Sequence, residues 1–335
     1  MQILGIDLGF SQVKLTSASG NKKFSSVIGY PSSVELKQQE DEKVSESNLY
    51  LTEKNTTYYI GEKANRDTNN ARLTFTAEKT NNITDHVKYL AALGLASEQD
   101  DQGSYTVVTG LPVEDFAAQE DLRKDLEKNL TGTFDYVFGN QAKLIGVHKV
   151  HVIPQSAGAY YCYILQDGEI RIDRVNTLTL VIDIGFKTTD AVAMRDAKYS
   201  STESFTEYTG VSNVHIEIRK RLMKEFGLRK ELSEIDEIVR SKTIYLDGRE
   251  VSIEDMILEA VKPFAEKIVD AIPLYISNPK EIRQIILTGG GAYLMQEYFK
   301  MAFPKNSILV LPNAEYSNAE GYYKYGQLLA KSGRE

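Results

Sequence analysis

The sequence predicts an α/β protein built from two similar halves, and three observations carry this. Ile6-Asp7-Leu8-Gly9-Phe10 near the start returns almost letter for letter as Ile182-Asp183-Ile184-Gly185-Phe186. Strand-like and helix-like segments alternate twice over, the pattern of layered α/β domains. The run Ile285-Ile286-Leu287-Thr288 enters Gly289-Gly290-Gly291 before a helix-like stretch, as where a backbone must pass close to a flat or charged ligand.

The elements follow in order. Ile3, Leu4 and Ile6 form a run too short and too β-branched for a helix, which fits a buried strand; Gly9 marks a tight turn and Leu15 a return strand. From Ser32 to about Thr80 the composition turns polar, with the solvated run Gln38 to Lys43 and a hairpin of Leu49–Leu51 and Tyr58–Ile60 around Lys54-Asn55. This span fits a small inserted subdomain. Thr84 to Ser97 puts Val87, Leu90, Ala91 and Leu95 on one helical face, with Thr84 as N-cap. Asp100-Asp101 reads as loop and Tyr105 to Thr109 as a strand. Glu114 to Leu130 reads as one amphipathic helix, with Leu122, Leu126 and Leu130 at helical spacing. Strands near Phe134–Val137 and Leu144–Ile153 lead to Pro154-Gln155-Ser156, where Ser156 is the candidate cap of the next helix.

In the second half, a hairpin at Asp167-Gly168 precedes the strand Leu180, Val181 and Ile182, and Ala191 to Met194 forms its return. Residues 213 to 226 form a helix rich in Arg and Lys. Ser252 to Ile276 reads as a long helix interrupted or kinked by Pro263 and Pro273, and Asn318 to Ala330 as the last one.

Composition agrees. With 335 residues, 42% of them hydrophobic, the chain can bury two cores. No run of about 18 apolar residues predicts a membrane span, and a first strand starting at Ile3 leaves no room for a signal peptide. A single cysteine, Cys162, excludes an intrachain disulfide framework, fits a reducing cytoplasm and reads as core. The net charge of -8 argues against a broad basic surface for nucleic acid, so a link to DNA would pass through an adaptor. His86, His148, His151 and His215 show no metal-ligand pattern; His148 and His151, three apart in a strand, are expected on opposite faces. The tyrosines at 160, 161, 163, 322, 323 and 325 fit either subunit contacts or core and half-exposed packing, and are assigned to no site.

The chemistry lies in the repeat. In a hairpin whose turn is Gly plus Ser or Thr, backbone N–H groups and hydroxyls point outward and a phosphate can rest on them. Two such hairpins could grip a polyphosphate from both sides, and an Asp at a strand end can hold Mg2+ directly or through its waters. One Asp-x-Gly alone ends strands in many proteins; the matched pair together with the glycine triplet is what points to phosphate.

The set IDLGFSQVK, VIPQSAGAYY (152–161), VIDIGFKTTD, ILTGGGAYL and NAEGYYKYG (318–326) resembles, in order and spacing, the five ATP-site motifs of the actin superfamily across nearly the whole chain. VVTGLPVEDF (107–116), with the GFKTTD form of the second loop, is most similar to the ParM-type bacterial and archaeal actins that segregate plasmids, and phage-borne filament-forming relatives look much the same. The resemblance implies an actin-like ATPase fold of two RNase H-like domains, 1–155 and 156–335. Each would carry an insert, about 31–82 and 216–275, and the last helix, 318–331, would return to the first domain.

It also implies roles. Asp7 and Asp183 would organise Mg2+, one in each half. Gly9, Phe10, Ser11, Gln12 and Lys14 would form the first phosphate loop, with Ser11, Gln12 and Lys14 on the β- and γ-phosphates. Gly185, Phe186, Lys187 and Thr188 would form the facing loop, and Gly289, Gly290 and Gly291 would flank the adenosine and α-phosphate. Gln155 resembles the residue that positions the attacking water; an amide takes no proton at neutral pH, so it orients rather than acts as base. The helix with Arg219, Lys220 and Lys224 would neighbour the base, which of the three touches it being open.

The reading preferred is a slow ATPase, ATP or GTP being open, that polymerises in the cytoplasm and segregates plasmid or phage DNA through a small DNA-binding adaptor. A small-molecule sugar or acid kinase shares the fold but needs a carboxylate base, for which Asp190 is the formal candidate. A membrane-linked adaptor of the cell-division or pilus type would carry a terminal amphipathic helix, which this sequence does not offer.

Overall fold

A computed structural model describes residues 2–32, 43–73, 82–97 and 103–333. The run Gln38–Glu42, the pair Asp100-Asp101 and the terminal Arg334-Glu335 lie outside them. The chain divides into two compact units, one running to Arg174 and resuming at Tyr316, the other Val175–Glu315. The division falls some way beyond Gln155, because the helix that follows Gln155 packs on the C-terminal helix in the first unit.

The first unit opens with β1 (Gln2–Leu8), β2 (Gln12–Ser17) and β3 (Gly20–Ser25), antiparallel neighbours. There follow β4 (Val27–Gly29), the hairpin β5 (Leu49–Glu53) and β6 (Thr56–Ile60), α1 (Glu62–Asp67), β7 (Arg72–Leu73) and α2 (Ile83–Ala96). Lys54 and Asn55 turn the hairpin with positive φ, as their sequence position anticipates. The cap of α2 is Asn82, not Thr84: its side chain accepts from Thr84 N at 3.0 Å, which places the helix start two residues earlier.

Next come β8 (Ser104–Leu111), α3 (Val113–Ala118), α4 (Glu120–Leu130), β9 (Gly132–Phe138), β10 (Gln141–Pro154), α5 (Ala157–Ile164), β11 (Leu165–Gln166) and β12 (Glu169–Ile170). The single helix expected over 114–130 is two, broken where Gln119 takes the non-helical φ −138°, ψ 87°. Ser156 stands at the N-cap of α5 but makes no side-chain cap; its hydroxyl is buried instead. A bulge in β10 between Val147 and Lys149 inverts the strand's parity, so the buried set passes from Lys143, Ile145 and Val147 to Val150 and Val152. His148 and His151 therefore both alternate with core positions instead of facing opposite ways.

The second unit runs β13 (Thr179–Ile184), β14 (Thr189–Arg195), β15 (Lys198–Glu207), α6 (Val211–Phe226), α7 (Leu232–Ser241), the hairpin β16 (Thr243–Leu246) and β17 (Arg249–Ser252), α8 (Glu254–Tyr275), β18 (Gln284–Thr288), α9 (Ala292–Ala302) and β19 (Ser307–Val310). Helix α8 is continuous through Pro263 and Pro273, which stay inside it. Each proline forfeits one backbone bond, but the buried stripe Met256, Ile257, Ala260, Val261, Ala265, Ile268, Ala271 and Ile272 holds the helix on its core.

Likeness between the halves is carried by the sheets. The first contains the order β3-β2-β1-β8-β10, with β1, β8 and β10 parallel; the second is β15-β14-β13-β18-β19, with β13, β18 and β19 parallel. Both are three antiparallel strands followed by two parallel ones. Among the described residues no helix is long and apolar enough to cross a membrane.

The final helix, α10 (Ser317–Lys331), belongs to the first unit. It seats on β1 and α5 through glycines: a methyl group at Gly5 would run into the Ala319 carbonyl, and one at Gly321 into the Gly158 carbonyl. We therefore expect Gly321→Ala to lower stability by about 1–3 kcal/mol, read as a fall in the urea midpoint of the intact protein.

Candidate nucleotide site

In the first unit, β1 and β2 set Asp7 directly across from Lys14. Lys14 Nζ stands 3.6 Å from Asp7 Oδ2, and Gln155 Nε2 donates to Asp7 Oδ1 at 3.3 Å. Three of the residues singled out in the sequence thus meet around one buried carboxylate, 4% exposed. The turn between the strands is tight: a methyl at Gly9 would lie 2.5 Å from the Gln12 carbonyl. Phe10, Ser11 and Gln12 are partly exposed along it. Ser26, wholly buried, clamps this loop from behind, its N–H donating to Ser11 O and its hydroxyl to Gly9 O, both at 2.8 Å. Thr109 adds a bond to Ile6 O at 2.7 Å. No local pattern in the sequence marks Ser26 or Thr109, because their partners are distant in the chain.

In the second unit, the same register sets Asp183 across from Asp190, so a carboxylate stands where the first unit has Lys14. Asp190 accepts from Thr206 Oγ1 at 2.5 Å. Gly185 N bonds Thr188 O at 2.9 Å, closing the turn that holds Phe186 and Lys187. The carbonyls of Gly185 and Phe186 receive Val211 N and Ser212 N at 2.9 and 2.8 Å, which satisfies the first turn of α6. Gly210 permits this, since a methyl there would lie 2.6 Å from Phe186 O. Thr189 fixes the same junction by donating to Thr209 O at 2.7 Å.

The glycine triplet meets Asp183. Gly289 has φ +81°, and a methyl on it would strike Asp183 Oδ1 and lie 2.6 Å from Ile184 O. Gly291 N donates to Ile184 O at 3.0 Å, and a methyl on Gly291 would strike the Ile184 side chain. Gly290 alone faces open space. Two of the three glycines are thus demanded by packing, and the middle one leaves room for a ligand.

Arg219, Lys220 and Lys224 lie further along α6, roughly 12 to 20 Å by helical rise from the end that meets the loop. Arg219 is half-buried and the two lysines are exposed. The α6 side chain that does touch the loop is His215, whose ring meets that of Phe186 edge-on at 6.2 Å. It is 2% exposed, and neither ring nitrogen has a hydrogen-bond partner; Asp236 Oδ1 is 3.9 Å from Nε2. Burial holds the His215 imidazole below its ordinary range, against the pull of Asp236 and with a smaller push from Arg240.

A magnesium ion fits these residues in one way. Among the described residues no group of three or more His, Cys, Asp or Glu could hold a metal. Asp7 and Asp183 are single strand-end carboxylates, and such sites suit Mg2+ that keeps its waters and the ligand's phosphate oxygens.

Comparison with known proteins identifies the fold. Residues 5–158 match the family of actin-like proteins, N-terminal domain, and residues 181–301 the C-terminal domain of the archaeal actin homologue MreB-like family. The chain belongs to the actin superfamily. It is similar over 100% of its length, and 99% of the other's, to the apo pSK41 ParM protein, at 18% identity and a TM-score of 0.77. The archaeal actin homologue Ta0583 matches with 18% identity and a TM-score of 0.84, covering 98% of this chain and 100% of that one; it has also been solved in complex with ADP. A 15-stranded ParM filament from Clostridium botulinum matches at 22% identity and a TM-score of 0.73, covering 97% and 99%. No curated protein sequence matches the chain.

Two outcomes are expected. Gly289→Ala should lose about 1–3 kcal/mol through strain and collision, while Gly290→Ala stays within about 0.5 kcal/mol of the native protein, both read by urea unfolding. For His215, the folded pKa lies below the unfolded value of about 6.5, so the unfolded chain binds the extra proton and stability falls as pH drops through that value. His215→Leu should therefore lose less stability than the native protein between about pH 7 and pH 5, measured as the change in urea midpoint.

Proposed function

We propose that the protein binds a nucleoside triphosphate with Mg2+, hydrolyses it slowly and assembles into nucleotide-dependent filaments. The observation that carries the reading is the pair of matched hairpins, each ending a parallel-sheet strand in a buried Asp beside a glycine turn. The filament in the reading is supported by similarity to a ParM filament over nearly the full length of both chains.

In this reading the first hairpin supplies Lys14 as a positive charge to the phosphates, together with the backbone and hydroxyls of Gly9 to Gln12. The second supplies Gly185 to Thr188, and Gly290 leaves room for the nucleoside. Bound Mg2+ would neutralise charge on the phosphates; Asp7 and Asp183 are each a strand-end carboxylate of the kind that holds such an ion through its waters. Gln155 donates its amide nitrogen to Asp7, which assigns its amide oxygen to accepting a hydrogen bond from the attacking water. Catalysis by orientation and charge, with no general base, gives slow turnover.

The net charge of -8 favours an indirect link to DNA, so segregation of a plasmid or phage would run through a basic adaptor in the cytoplasm. ATP and GTP are compared directly in the test. Purified protein is pelleted and imaged by negative stain with each triphosphate, with ADP and with a non-hydrolysable analogue. Polymer with triphosphate and its loss after hydrolysis are expected. No polymer across salt and concentration, together with phosphate transfer to a sugar or acid, overturns the filament in favour of a kinase. Asp183→Ala is expected to lower Mg2+-dependent hydrolysis about 100-fold, measured by phosphate release.

A further inference from the structure

We propose that Tyr322 of the C-terminal helix is a positioning residue for Gln155, its hydroxyl fixing the peptide from which the Gln155 amide reaches Asp7. This rests on the reading of Gln155 as the group that orients water for hydrolysis. Tyr322 is wholly buried, and its hydroxyl donates to Gln155 O at 2.7 Å. The same carbonyl receives Gly158 N at 3.2 Å, and Gln155 N donates to Leu111 O at 2.8 Å. Gln155 is the first residue past β10, where regular strand pairing ends. Its backbone is therefore set by three bonds, one of which comes from a residue 167 positions away.

The room for that residue has been cleared on three separate elements. A methyl at Gly110 of β8 would strike the Tyr322 hydroxyl and lie 2.8 Å from Gln155 Cα. One at Gly158 of α5 would lie 2.6 Å from the Tyr322 ring, and one at Gly5 of β1 would lie 3.1 Å from Tyr322 Cβ. A buried ring alone needs no hydroxyl, and Phe would fill the slot; a buried tyrosine O–H needs an acceptor, and here that acceptor carries the Gln155 side chain. Since Gln155 Nε2 holds Asp7 at 3.3 Å, a shift of this peptide moves the amide against the carboxylate. Misplacement of a reacting group by about 1 Å can cost about 100-fold in rate.

The test compares nucleotide binding, kcat and KM of the full-length native protein, Tyr322→Phe, Gln155→Ala and the double variant, with thermal melts alongside. Tyr322→Phe is expected to keep its fold and its KM and to lower kcat roughly 10- to 100-fold. The double variant is expected to be no slower than Gln155→Ala alone, because both changes remove one orienting unit. A Tyr322→Phe protein that melts lower but keeps its kcat, or a double variant slower by the product of the two single losses, overturns the inference. Absence of hydrolysis in the native protein, or an unchanged kcat in Gln155→Ala, instead overturns the reading of Gln155 and the inference with it. A fluorinated tyrosine at position 322, almost the same size but more acidic, covers failure of Tyr322→Phe to fold. The more acidic phenol donates more strongly to Gln155 O, so its kcat should differ from that of the native protein at unchanged KM, and an identical kcat overturns the inference.

Discussion

The close seat of α10 on β1 is the constraint on which the first half of the site depends. Side chains normally hold a helix about 10 Å off a sheet or another helix. Here Gly5, Gly158 and Gly321 remove them so that backbone meets backbone, and Gly326 makes room for the Ile3 and Val108 side chains. The last helix thereby reaches the strand that carries Asp7 and the peptide that carries Gln155. Closing such a contact costs loop entropy, which buried area must offset; Tyr322, Ala319, Tyr160 and Ile164 are all wholly buried around it.

The two hairpins share a fold and differ in charge at one register position. Across from its strand-end Asp, the first has Lys14 and the second Asp190. In the first, an ammonium offsets the carboxylate and remains on hand for an anion. In the second, two carboxylates stand directly opposite, an arrangement that disfavours anions and favours a cation or a hydroxyl donor such as Thr206. A duplicated element thus presents opposite electrostatics at one register position.

The loop at Gly185 and the start of α6 share backbone hydrogen bonds. Its carbonyls cap α6, so that helix's first N–H groups are spent on the loop and not open to a ligand. Cap and turn are therefore ordered together, and Phe186 is further pinned by His215. Gly210 is as necessary to this junction as Gly185, although it falls outside the repeated segment and nothing in its neighbours announces it.

By itself the sequence determined what is local. Strand, turn and return strand around Asp7 and Asp183 were legible because apolar runs, a glycine and a short span fix a hairpin with no help from the rest of the chain. The glycine triplet and the β5–β6 hairpin were legible for the same reason. Helix ends and breaks were less so: Asn82 rather than Thr84 caps α2, and Gln119 divides α3 from α4, because neighbouring residues could do the same task and packing chose between them. The β10 bulge was invisible, since a period-2 pattern carries no mark of one inserted residue until the partner strand is in place. Only the tertiary structure decided that Gly290 faces open space while Gly289 and Gly291 are packed, that Ser26 backs the first loop, and that Tyr322 holds Gln155. Each depends on atoms brought together from distant parts of the chain, and no spacing rule reports how close two backbones will come.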